Sequence, residues 1–469
     1  MDSRRSPRLD VVVIGAGPAG VVAALRAARL GAATALITRD AFGGMAATDG
    51  PVPVRTLAHA ARLMRETRQL PRYGVVIGEP ALDYGRLLER IVEVTDDVRT
   101  HSLLRGELEE AGVTIHEHAG TASFEGPHTI VSEHGPRVEA EKVIICTGGA
   151  PRPLPVPGSE LTATHSDAWS LHSVPPTMVV IGAGATGVQL ASIFNAFGSE
   201  VTLVEVAPRI LMTEDPDVSA AIASALQETG ISVIEGAGAI RRFESCDGGV
   251  RAVLGTDDGE RPRDAALVVV AVGWQASTAR LALERAGVKL DDRGFVSVDS
   301  SLRTTAGHVF AAGDVNGGIL VAHEAIREGY LAASNAVAGH APGLPAEVSP
   351  TGSYTDPEYA SVGLTEENAR QHHRVVVGMA RFESLPRAII DDRTTGFCKL
   401  VADADSHAIL GCHVVGERAV ELAQLAAVAI AAGMTAQQLA LVPFSFPTYA
   451  NALGRAAVQA SDATVATDL

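Results

Sequence analysis

One unit occurs twice in this chain, and that repetition constrains the fold more than anything else in it. "DVVVIGAGPAGVVAALRAARLGAATALIT" begins at Asp10, and "MVVIGAGATGVQLASIFNAFGSEVTLVE" begins at Met178. Gly15, Gly17, Gly20 and Gly31 reappear at one fixed offset as Gly182, Gly184, Gly187 and Gly198, and Thr38 aligns with Glu205. Each copy reads as an apolar strand, a glycine turn, a helix and a second strand. A lone G-x-G-x-x-G is weak evidence, but two in this context and in register are strong. The first glycine permits the tight turn, the second lets a pyrophosphate approach the backbone, and the third lets helix and strand pack closely. The free N–H groups and dipole at the helix start favour phosphate.

The second copy ends on Glu205. A carboxylate there accepts hydrogen bonds from a ribose diol and repels a 2′-phosphate. A charged hydrogen bond is worth about 1.5–3 kcal/mol, so NADH is expected over NADPH by about ten- to hundredfold. Arg209, close in sequence, is expected to soften that preference. The first copy has Thr38 instead, followed by Arg39 and Asp40, and threonine holds a ribose less strongly. "EKVIICTGGAPR" and "ALVVVAVGWQAST" each read as a buried strand running into a small-residue turn. "HVFAAGDVNGGILVAHEAIREG" reads as a strand ending at Gly313-Asp314, then a loop and a helix. Asp314 either holds a polyol chain or caps a turn, and the sequence leaves both open.

The 469 residues, 46% of them apolar, suggest about three globular domains. A net charge of −17 disfavours nucleic acid or an anionic membrane as partner. No apolar signal core precedes Val11, which leads to the expectation of a cytoplasmic protein. "VELAQLAAVAIAAGM" carries Glu421 and is too short to span a bilayer, so no membrane insertion is expected. Four cysteines stand singly, with no metal-binding spacing. Cys398 and Cys412 flank the turn "DADSH" and are expected as two packed thiols. His372-His373 lacks the further ligands that a metal needs.

"GAGPAG", "FGG", "ICTGGAPR", "GAGATG" and "AAGDV", with a C-terminal stretch from "SYTDPEYASVGLTEENA" to "FSFPTYANALGRAA", resemble the flavoprotein disulfide reductase family. The resemblance covers nearly the whole chain. It implies an α/β fold with two Rossmann-like dinucleotide-binding domains, for FAD and NAD(P), plus a C-terminal α+β dimerisation domain. The FAD domain would comprise 1–155 and 278–345, the NAD(P) domain 156–277 and the dimerisation domain 346–469. The usual assembly is a homodimer whose active site uses both chains. By the same likeness Gly15, Gly17, Pro18, Ala19, Gly20, Thr38, Arg39, Gly43, Gly44, Met45, Ala122, Thr147, Gly148, Gly313, Asp314, Ala322 and His323 would hold FAD. Gly182, Gly184, Ala185, Thr186, Gly187, Glu205 and Gly273 would hold the nicotinamide cofactor.

Several positions depart from the family pattern. After the glycines the family carries C-x4-C, where this chain has Ala46 and Pro51. The family's lysine and its glutamate partner correspond to Arg55 and Gln189. The "HPTxxE" acid–base pair corresponds to Phe446 and Asn451, and the tyrosine gate of "GYIG" gives way to Ala185 and Thr186. An amphipathic helix is expected to start about ten residues after Gly44, with Leu57, Ala61 and Met64 on one face. From these departures the sequence leads to an FAD-dependent NAD(P)H:acceptor oxidoreductase of diaphorase or quinone-reductase type, not a disulfide reductase. Arg55 cannot act as a base; it either balances charge on reduced flavin or is a surface residue. Phe446 and Tyr449 from a partner chain, with Ala46 and Pro51, would line a pocket for a flat quinone-like acceptor, or merely fill space. The alternatives are a flavin-dependent oxidase or dehydrogenase of a small metabolite, and a flavin-binding sensor or subunit without turnover.

Overall fold

The computed structural model describes residues 8–101, 104–169, 171–256, 259–339 and 348–467. The limit expected at 345/346 lies outside the described residues. The chain divides into two compact units: 1–56, 86–152 and 273–343 in the first, and 57–85, 153–272 and 344–469 in the second.

In the first unit, strand Leu9–Ile14 lies between Thr34–Ile37 and Arg137–Ile145, all parallel. Thr114–His116 extends one side and Val309–Ala311 the other. The central stretches of this sheet, 11–14, 34–37, 143–145 and 309–311, are short and mostly Val, Ile, Leu and Ala, and they are buried on both faces, as a parallel sheet covered on both sides requires. An antiparallel hairpin, Ala122–Gly126 with Thr129–Ser132, continues from the first half of Arg137–Ile145. Helix Pro18–Arg29 packs on helix Ala322–Ala338 through small residues. The approach is so close that a Cβ on Gly329 would lie 2.2 Å from the Ala19 carbonyl oxygen.

The second unit repeats the strand–turn–helix scheme. Thr177–Ile181 runs parallel to Glu200–Val204 and Leu267–Val270, and Ser232–Ile234 pairs beyond Glu200–Val204. A three-stranded antiparallel sheet spans 239–265. A five-stranded antiparallel sheet is built from 351–415, with helix Ala419–Ala431 against one part and helix Asn451–Thr467 against another. Gly378 allows the last contact, since its Cβ would meet the Ala456 carbonyl oxygen at 1.9 Å.

The segment after the glycine pair differs from expectation. A short helix, Gly44–Thr48, starts at the second glycine itself, and the long helix runs Pro51–Gln69. Proline is compatible with the first helical position because the N–H it lacks would have no intrahelical partner. Leu57 and Ala61 are buried as expected. Strands Phe397–Asp403 and Ile409–Val415 form the expected hairpin. Cys398 and Cys412 sit diagonally across it with sulfurs 3.8 Å apart, and both are free thiols. His373 is bound through Nδ1 to Asp403 at 2.8 Å, and no metal-holding cluster occurs among the described residues. No described helix is long and apolar enough to cross a membrane.

Candidate functional site

Two open helix starts dominate the chemistry. Gly17 precedes helix Pro18–Arg29, and Gly184 precedes helix Ala185–Ala196, with nearly identical extended backbones. Neither helix has a capping side chain. Their first N–H groups therefore await a partner, and Pro18 removes one of them in the first copy. A Cβ built on Gly17 or Gly184 meets nothing within 4 Å, so the second glycine of each motif faces open space. The third glycines behave oppositely: at Gly20 and Gly187 a Cβ would lie 1.8 Å from the carbonyl oxygens of Gly15 and Gly182. Those contacts are the close packing of turn and helix that the motif's last glycine serves.

In the first unit, the glycine pair after the second strand folds back onto this turn. Gly43 N–H donates to the Ala16 carbonyl at 3.0 Å. Gly44 has φ +59°, and its Cβ would lie 2.6 Å from the Gly17 Cα. This contact places Met45 and Ala46, in the short helix that Gly44 starts, next to the first turn. Thr147 and Gly148 follow strand Arg137–Ile145, and the Thr147 hydroxyl is buried without a hydrogen-bond partner. Asp314 opens a 3-10 turn after Val309–Ala311. Burial pushes its carboxyl above the usual carboxylate range. An orphaned hydroxyl, a desolvated carboxyl and an uncapped helix start in one unit suit a phosphate-linked cofactor with a polyol chain, which fits FAD. Thr38 is buried at the end of its strand, whereas Arg39 is exposed and paired with Asp40. Ala122 starts the antiparallel hairpin and is buried. Ala322 and His323 open an uncapped helix, with His323 exposed.

Glu328 is a residue the sequence reading passed over. Its Oε2 accepts from Gly313 N–H at 2.6 Å and from Asn316 Nδ2 at 2.8 Å. It therefore sets the turn that presents Asp314. The signal was a carboxylate, one of two with Glu324, among the small buried residues of helix Ala322–Ala338. Burial raises its pKa from 4.5 to about 6. Between those values the native state holds a proton that the unfolded chain has released, so stability falls as pH rises through that window. The loss is on the order of 1–2 kcal/mol. Glu328→Gln keeps an oxygen for both bonds and has no charge to desolvate. Its melting temperature, measured from pH 4 to 7, is expected to show a smaller decline across this window than the parent's.

In the second unit Glu205 is held from two sides. Its Oε2 accepts from Ala183 N–H at 2.8 Å and its Oε1 from Ala207 N–H at 2.9 Å. The carboxylate is thereby fixed beside the glycine turn, where a ribose diol would meet it. Arg209 does not soften this site as expected. Its guanidinium donates to the carbonyls of Leu211, Met212 and Glu214 at 2.9–3.0 Å and is occupied as a loop clamp. Ala185, at the start of the helix, is exposed and Thr186 is half-buried; Gly273, which belongs to the first unit, is exposed with φ +112°. Gln189 is buried and accepts from Ser353 Oγ at 2.8 Å and Tyr354 N–H at 3.2 Å, so its amide oxygen is bound to the C-terminal sheet.

The C-terminal aromatic pair is split. Phe446 is exposed, but Tyr449 is buried with its ring against Phe382. The Tyr449 hydroxyl contacts Asp391 at 3.1 Å, and burial with that neighbouring charge pushes the phenol up. Asn451 Oδ1 accepts from Thr448 N–H at 3.1 Å at the start of the last helix. Tyr449 is thus a packed residue of its own sheet and helices rather than a projecting wall. Arg55 lies exposed in the second turn of helix Pro51–Gln69.

Residues 9–329 match the family described as pyridine nucleotide-disulphide oxidoreductase, and residues 349–457 match that family's dimerisation domain, which supports the expected homodimer. The chain is 35% identical over 459 residues to a dihydrolipoyl dehydrogenase of Zymomonas mobilis, covering 95% of this chain and 96% of that one. It is 36% identical over 457 residues to a dihydrolipoyl dehydrogenase of Thermus scotoductus, covering 96% of each. A solved structure of the HOCl-induced flavoprotein disulfide reductase RclA from Escherichia coli superimposes with a TM-score of 0.83 at 25% identity, covering 96% of this chain and 99% of that one.

These relatives correct two expectations from the sequence: direct reduction of a quinone-like acceptor, and an activity other than disulfide reduction. Chains alike over nearly their full length are named dihydrolipoyl dehydrogenase or disulfide reductase. The oxidase and the non-turnover subunit find no counterpart among those names. A likeness spread over the whole chain outweighs a few substituted positions. With both nucleotide motifs, the fold around them and the C-terminal domain all matched, the chain belongs to the pyridine nucleotide-disulphide oxidoreductase family and is an FAD- and NADH-dependent oxidoreductase.

Proposed function

We propose that this chain passes electrons between NADH and a dithiol–disulfide couple, and that the substrate brings the sulfur atoms of that couple. The names of the dihydrolipoyl dehydrogenase relatives support the couple. The segment after the glycine pair supports the second part: from Gly43 to Arg55 there is no cysteine, and Ala46 and Pro51 stand where the resemblance expects thiols. The C-terminal positions of the family's acid–base pair likewise hold Phe446 and Asn451. The observation that carries the NADH half is Glu205, pinned by Ala183 and Ala207 beside an uncapped helix whose second glycine faces open space.

Bound FAD supplies two-electron acceptance from NADH. The chain's own residues bind and orient. Backbone N–H groups after Gly17 and Gly184 take the two pyrophosphates, Asp314 the polyol chain of FAD, and Glu205 the ribose of NADH. Arg55 provides positive charge on the flavin side of its helix, and two copies of the chain form the working dimer.

An anaerobic rapid-mixing experiment tests this reading. NADH is expected to bleach the flavin of the holoenzyme, and oxidised lipoamide is expected to restore it. Dihydrolipoamide with NAD+ should run the sequence backwards. No bleaching by NADH would end the nicotinamide assignment. Bleaching without recovery on lipoamide or another cyclic disulfide would end the dithiol–disulfide assignment.

A further inference from the structure

Lys399 is an unusual residue for its place. It lies within strand Phe397–Asp403, every residue of which is buried, and its own side chain is 3% exposed. A buried ammonium is costly unless it is paired. Here Nζ meets Asp217 Oδ2 at 2.7 Å, Glu366 Oε2 at 2.8 Å and Asp215 Oδ1 at 2.9 Å. Burial opposes its charge, but these three bonds prevail and hold its pKa above the ordinary lysine value. Asp215 is itself fully buried, caps helix Pro216–Glu228 and also accepts from Glu366 N–H. Its neighbour Glu214 accepts from Ser361 Oγ at 2.5 Å.

Asp215 and Glu214 end the loop that begins at Glu205. That loop returns to the glycine turn, because Leu211 N–H donates to the Ala183 carbonyl, and Ala183 N–H is the donor that fixes Glu205. Leu211 sits at φ +50°, a conformation that costs a branched residue and persists only when its surroundings enforce it. Arg209 clamps the carbonyls of Leu211, Met212 and Glu214, at and just after this bend. The loop is therefore tied at one end to the nucleotide turn and at the other to two strands of the C-terminal sheet.

We propose that Lys399 is a positioning residue for NADH recognition: through Asp215 it anchors the 206–215 loop, and the anchored loop holds Glu205 in place for the ribose. This rests on the reading that Glu205 binds that ribose. Lys399 touches no reacting atom, so its loss should appear in NADH affinity rather than in the limiting rate of flavin reduction.

The test uses the full-length holoenzyme with Lys399→Met, Lys399→Arg, Ser361→Ala and Glu205→Ala. FAD content, melting temperature, NADH Kd and the limiting rate are measured for each. Glu205→Ala is expected to raise Kd about tenfold, the size of one lost charged hydrogen bond. Lys399→Met is expected to raise Kd about tenfold as well, with FAD retained and the limiting rate within about twofold. Lys399→Arg should recover most of the affinity. Ser361→Ala, a milder cut at the same anchor, should raise Kd about threefold and keeps the test open if Lys399→Met does not fold. A lowered melting temperature with unchanged Kd in the Lys399 and Ser361 variants, while Glu205→Ala weakens NADH, overturns the proposal. An unchanged Kd in Glu205→Ala overturns the ribose reading instead.

Discussion

Gly184→Val is expected to keep its flavin and lose its response to NADH. The backbone at Gly184 has φ −75° and ψ −174°, which valine adopts without strain. A Cβ there meets no protein atom within 4 Å, so the chain should fold as before. In the proposed function that open space receives the cofactor, and the side chain would occupy it. A pyrophosphate held off the helix start forfeits hydrogen bonds to a charged group, each worth about 1.5–3 kcal/mol. Loss of two raises the NADH Kd by about a hundredfold or more. Gly17→Val is the matched variant in the first copy and should give a folded protein purified without FAD. Flavin absorbance after purification and after adding NADH reads both. A Gly184→Val protein that is bleached at the parent's NADH concentrations would show that the second copy is not the nicotinamide site.

Gly329→Leu should act through packing alone. Even a Cβ at this position would lie 2.2 Å from the Ala19 carbonyl oxygen and 3.0 Å from the Ala19 Cα, all backbone atoms of a buried helix. Neither helix can yield without opening the sheet beneath it, and overpacking of this kind costs about 3 kcal/mol. For a unit of this size that is a fall in melting temperature on the order of 10 °C. The displaced helix is the one whose start is proposed to receive the FAD pyrophosphate, so weaker FAD retention should accompany the loss. Gly106→Ala provides the contrast. It is helical, and its Cβ meets nothing within 4 Å. A neutral or slightly higher melting temperature is expected there. Equal losses in the two variants would contradict the packing argument.

The two glycine turns were legible because their chemistry is local. A positive φ, a close approach and an uncapped helix are properties of neighbouring residues, and the same spacing occurs twice. Glu205 was legible for the same reason, since its place at the end of a strand fixes its distance from the turn. Arg209 was not. Proximity in sequence suggested a cation beside the ribose, but three carbonyls of its own loop compete for the guanidinium, and only the folded loop shows that they win. Tyr449 was misplaced similarly. The sequence offered it as the wall of an acceptor pocket or as a space-filling side chain, whereas its ring is packed on Phe382.

The sequence by itself determined the two nucleotide-binding turns, the cofactor classes and the order of the segments. Each follows from short-range geometry written in a few adjacent residues. Tertiary structure alone decided that Gly44 closes on Gly17, that Glu328 sets the Asp314 turn, and that Lys399 anchors the loop behind Glu205. Lys399 and Asp215 are far apart in the chain, and a buried charge reveals its purpose only through the partners that neutralise it. The acceptor lay beyond either kind of reading of single positions. The substituted positions pointed away from disulfides, and likeness across the whole chain pointed back to them.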